Sequence, residues 1–79
     1  MKLHAGSLYK NYLVLYSPSD ATKRIIKVDD TDLQWDIYCN DVEFTAKNSE
    51  KAEIGFNGKS YEFKYAVSEN PMKDLGFGE

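Results

Sequence analysis

Residues 54–63, IGFNGKSYEF, constrain this chain more than any other stretch. Apolar residues alternate with others up to Asn57-Gly58, and the same alternation then resumes. Asn-Gly favours a type I′ turn, because both central residues of that turn need positive φ, which Gly adopts freely and Asn tolerates. A two-residue loop sets Phe56 opposite Lys59, Ile54 opposite Tyr61 and Ala52 opposite Phe63, so apolar side chains meet across the strands. A three-residue loop would pair Ile54 with Glu62 and mix the two faces. On the other face Glu53 stands opposite Glu62, and each lies diagonal to Lys64 or Lys51.

The same rhythm predicts the strands upstream. Leu33, Trp35, Ile37 and Cys39 alternate, and Val42, Phe44 and Ala46 follow. A turn at Asn40-Asp41 pairs Cys39 with Val42 and Ile37 with Phe44, which puts Trp35 and Cys39 on the buried face. Residues 9–16 and 22–28 read as strands from their aromatic and β-branched content, with Ser17-Pro18-Ser19-Asp20 as the turn between them. The alternative is an α+β fold, with residues 19–28 as a short helix capped by Ser19. Near the end, Asn70 as cap, Pro71 at the first position and Gly76 just past the end predict one helical turn. With 79 residues there is room for one core, so residues 1–79 are expected to form a single small β-rich domain, frayed over residues 1–7 and 76–79. The expected fold is mainly β: a six-stranded antiparallel meander curled into a small barrel with a short C-terminal helical turn. A flat sheet of six strands would leave its apolar face bare.

Catalytic and metal-binding patterns are not found in the residues. One His and one Cys cannot supply the three or four nitrogen and sulfur ligands that zinc takes. A calcium loop starting at Asp30 would draw on Asp32, Gln34, Asp36 and Asp41, but Trp35 stands where the loop needs Gly and Asp41 where it needs a bidentate Glu. Cys39 falls on the expected apolar face, far in sequence from His4. No Gly-rich phosphate loop precedes a helix. The expectation is therefore a non-enzyme without metal or cofactor. Ten Lys and Arg against thirteen Asp and Glu give a net charge of −3, which is no footprint for nucleic acid. Lys23, Arg24 and Lys27 near Tyr12 and Tyr16 are the one basic stretch, and keep a single-strand-binding barrel as a lesser alternative. No apolar run is long enough for a membrane span or a signal peptide, and one cysteine allows no internal disulfide, so a cytoplasmic location is expected.

Two features remain. Asp29, Asp30, Asp32, Asp36, Asp41 and Glu43 lie in a stretch without Lys or Arg. In the expected hairpin Asp36 and Glu43 share the face opposite Trp35, with Tyr38 between them. Such a patch suits a partner protein with a basic surface. The second is the strand at residues 9–16, where Tyr12, Val14 and Tyr16 form one apolar face and Leu13 and Leu15 the other; the tyrosine face is an alternative partner surface, or a self-association surface. The expected function is that of a stand-alone protein-binding domain, such as an inhibitor or adaptor of the kind viruses encode. The alternative is a structural subunit or homo-oligomer.

Overall fold

Hydrophobic alternation closes on itself in the computed structural model, which describes residues 1–76 as a barrel of six antiparallel strands. The strands are β1 (Lys2–Tyr9), β2 (Tyr12–Tyr16), β3 (Lys23–Lys27), β4 (Asp41–Ala46), β5 (Lys51–Phe56) and β6 (Lys59–Ser68). Helix α1 (Thr31–Ile37) lies between β3 and β4, and α2 (Pro71–Asp74) follows β6. Around the barrel the order is β1-β2-β3-β6-β5-β4. Two three-stranded meanders thus join through α1, and the barrel closes where β3 pairs with β6 and β1 with β4. Closure gives every strand two neighbours, although residues 59–64 of β6 pair only with β5 and residues 7–9 of β1 only with β2.

The Asn57-Gly58 hairpin has the expected register: Phe56 pairs with Lys59, Ile54 with Tyr61 and Ala52 with Phe63. Asn57 at φ 55° and Gly58 at φ 77° supply the two positive values of the turn. Leu3, Ala5, Leu13, Leu15, Ile26, Val42, Phe44, Ala52 and Ile54 fill the barrel, and Val28 and Ile37 join them from outside the strands. The C-terminal turn also forms as read, with the Asn70 side-chain amide oxygen accepting from the Lys73 N–H and Pro71 opening α2.

Four expectations are corrected. Residues 33–39 are not a strand and Asn40-Asp41 is not its turn; α1 occupies most of that stretch, and Asp41 opens β4. Leu33 and Ile37, four residues apart, point into the core, so the helical period is satisfied where the strand period seemed to be. Residues 1–7 are not frayed: β1 buries Leu3 and Ala5 and pairs with both β2 and β4. A bulge between Ala5 and Ser7 shifts its phase, which hides the strand from a search for strict alternation. The single strand read over residues 9–16 is two elements, broken by a turn at Lys10-Asn11. The helical alternative for residues 19–28 is excluded, because β3 occupies Lys23–Lys27 between β2 and β6. Of the expected C-terminal fraying, residues 77–79 lie outside the described residues.

Candidate functional site

Helix α1 sits across one end of the barrel. Its N-terminus is set by Asp30, whose carboxylate accepts from the Leu33 N–H at 3.1 Å while its carbonyl accepts from the Gln34 N–H at 2.8 Å. Leu33 and Ile37 pack on the core, and the buried Gln34 amide donates to the Lys10 carbonyl at 2.9 Å, tying the helix to the β1–β2 turn. Those contacts fix which side of α1 meets solvent. Trp35 lies about 200° around the helix from Leu33 at ~100° per residue, and it is 58% exposed. The expectation that it lies on the buried face is therefore overturned. Its ring meets that of Tyr38 edge to face, with centroids 5.5 Å apart at 84°. Asp32 and Asp36 lie on the same exposed side, at i−3 and i+1 from Trp35.

The acidic run does not form the single patch expected of it. Asp36 is on a helix and Glu43 on β4, so they share no strand face. Asp29 accepts from the Asn11 amide at 2.6 Å and stands 3.8 Å from the Lys27 ammonium. Asp30 is used as the helix cap. Asp41 pairs with the His4 imidazole, Nδ1 to Oδ1 at 2.9 Å. Glu43 receives the Met1 ammonium, and that hydrogen bond and charge hold its carboxyl below the usual range. Within the acidic run, Asp32 and Asp36 are the two whose carboxylates have no ion pair or hydrogen bond among the described residues. The structure thus keeps a smaller group together: Trp35, Tyr38, Asp32 and Asp36.

Cys39 follows the helix at φ 66°, a left-handed position more often held by Gly. Its N–H donates to the Ala5 carbonyl at 2.6 Å, and Asn40 accepts from the Ala5 N–H at 2.9 Å, which fastens the chain to the β1 bulge. The thiol is exposed, contrary to the buried position expected of it. A side-chain hydrogen bond with Cys39 raises the Tyr38 phenol above its ordinary value, with the coulombic effect of Cys39 adding to it. The alternative surface is largely closed: Val14 is 2% exposed, and Tyr12 and Tyr16 are half-buried. The basic stretch is divided too, because Arg24 turns to Asp20 and the Phe44 ring, 5.7 Å from the ring centroid, while Lys27 lies over Tyr12. Among the described residues no three of His, Cys, Asp and Glu gather closely enough to hold a metal ion, and no helix is long and apolar enough to cross a membrane. No family model, no curated protein and no solved structure matches this chain.

A hydropathy pattern marks Trp35 as core, and hydropathy alone misplaces it. The signal that finds it is the Asp30 cap followed by Leu33 and Ile37 at helical spacing, which turns Trp35 outward.

Proposed function

We propose that this chain is a small protein-binding module, of the inhibitor or adaptor kind, that meets a partner's basic surface through the outer face of α1. Trp35 is the anchor. Its exposure carries the reading, since a ring left 58% in water at the cap of a closed barrel has its apolar area still to bury. Trp is also the residue most enriched where binding energy concentrates. The edge contact with Tyr38 restrains the ring before binding, which lowers the ordering cost of association. Asp32 and Asp36 carry charge that no internal partner neutralises among the described residues. The one free thiol, exposed at Cys39, suits a reducing compartment, and on that ground we assign the module to the cytoplasm.

A photoreactive residue placed at position 35 in the native host should capture a specific partner, while the same residue at the exposed Val67 should not. With that partner in hand, Trp35→Ala should weaken binding by ~2 kcal/mol, a loss typical of a central anchor. Asp32→Lys with Asp36→Lys should slow association and remove most of its salt dependence. Equal affinity for wild type, for Trp35→Ala and for the double reversal would end this reading.

A further inference from the structure

On the outer wall of the barrel a groove of about 350 Å³ lies between β2, β3 and β6 on one side and the end of α2 on the other. This is at the lower end of the ~300–1,000 Å³ typical of small-ligand sites. Ile25 and Ala66, a cross-strand pair, lie at its centre, and Tyr12, Tyr65 and Leu75 add apolar walls. Lys27 and Lys64 complete one end. Strand register explains why they stand together. One residue past the Ile26–Tyr65 pair, Lys27 comes beside Lys64; Lys64 itself pairs with Lys51. Three lysines therefore occupy one row across β3, β6 and β5, and directly opposed like charges on neighbouring strands repel.

The expected neutralisation of that row is diverted. Glu53 and Glu62, the acids diagonal to it, are both engaged by Lys47 from the β4–β5 loop, at 3.9 and 3.3 Å. Lys27 keeps a long 3.8 Å contact to Asp29, and Lys64 has no ion pair among the described residues. At the other end of the groove stands Asp74, whose carboxylate accepts from the Ser68 hydroxyl. Ser68 is four residues beyond Lys64, about 13 Å along a strand that rises ~3.3 Å per residue. The groove is thus apolar in its middle, cationic at one end and anionic at the other.

We propose that this groove binds a small amphipathic anion, its apolar body laid over Ile25 and Ala66 and its carboxylate or phosphate head held between Lys27 and Lys64. Asp74 sets the direction, because a head placed at that end would be repelled. The head relieves the repulsion within the lysine row, so part of the binding energy comes from a strain the free protein already carries.

The test uses the full chain and two fluorescent probes, anilinonaphthalene sulfonate and its uncharged analogue phenylnaphthylamine. One sulfonate probe should bind per chain with the near-ultraviolet circular dichroism of the folded protein unchanged. Lys27→Gln with Lys64→Gln should weaken the sulfonate probe about tenfold, the scale of a lost charge-assisted contact, and leave the neutral analogue within about twofold. Ala66→Leu, which fills the floor, should weaken both. Decanoate and decyl phosphate, competed separately, decide between the two head groups, and decanol should displace the sulfonate probe more weakly than either acid. The site is overturned if the folded chain binds no sulfonate probe, or if the lysine variant binds it as wild type does. It is equally overturned if decanol displaces it as well as the acids do, or if Phe77→Ala raises the affinity for both probes, which would give the groove to the chain's own end.

Discussion

Gly58→Ala isolates one term of the fold's energetics. Gly58 sits at φ 77° as the second central residue of the β5–β6 turn, and a Cβ built there meets nothing within 4 Å. No clash contributes, so the whole native-state cost is conformational. An L residue in the left-handed region costs ~1–2 kcal/mol. Alanine also restricts the unfolded chain, which returns ~0.4–1 kcal/mol. The balance is a loss of about 0.5–1 kcal/mol, which lowers Tm by roughly 2–8 °C in a chain of this size. Urea unfolding followed by circular dichroism should show a lower midpoint with an unchanged slope, because the surface exposed on unfolding does not change. Gly58→Asn should recover part of the loss, since Asn tolerates positive φ, as Asn57 does at φ 55° in the same turn. An alanine variant as stable as wild type, or more so, would show that residue 58 does not hold a left-handed conformation.

Three further outcomes follow from particular contacts. Asp30→Ala removes the acceptor for the Leu33 N–H and should cost ~1 kcal/mol of stability, whereas Asp32→Ala, with no such contact, should fall within about 0.5 kcal/mol of wild type by urea melting. Trp35 emission should resemble that of a solvated indole and be quenched readily by acrylamide, and Cys39 should react with a thiol reagent in the native protein about as fast as in denaturant; blue-shifted emission or slow labelling would contradict the placement of α1. Asp20 is held below its ordinary value of 3.8, first by the Arg24 side chain and then by the Thr22 N–H. A folded-state value below the unfolded one makes its contribution complete above the unfolded value and lost as pH falls through the folded one. The stability gap between wild type and Asp20→Asn should therefore close progressively in acid below 3.8, and a gap that widens there would refute the pairing.

The candidate site was legible only in its parts. Acidic residues without basic neighbours between positions 29 and 43 can be read directly, but their assignment to one strand face depended on a period of two for residues 33–39. Leu33 and Ile37 satisfy both a period of two and a spacing of four, and so do not choose between strand and helix. The choice moves Trp35 from core to surface and separates Asp36 from Glu43. The lysine row was half visible: the Lys51–Lys64 pair follows from the Asn-Gly turn, but Lys27 joins it only through the contact of β3 with β6.

Local chemistry determined the β5–β6 hairpin to the residue, because a two-residue Asn-Gly turn and a buried face leave one register without a mismatch. It determined the α2 turn through Asn70 and Pro71, and the strands β2 and β3 through β-branched and aromatic runs. Tertiary structure decided the rest. β1 is a strand because β2 and β4 offer it partners on both sides, although its bulge breaks the alternation that would announce it. Residues 31–37 are helical because β4 must start beside β1, across the barrel from where β3 ends, and a helix capped by Asp30 spans that end while Leu33 and Ile37 close the core beneath it. Pairings between neighbours in sequence are fixed by turn geometry within a few residues. Those that close a barrel join segments some forty residues apart, such as Leu3 with Val42, and are set only by which faces remain unburied once the hairpins have formed.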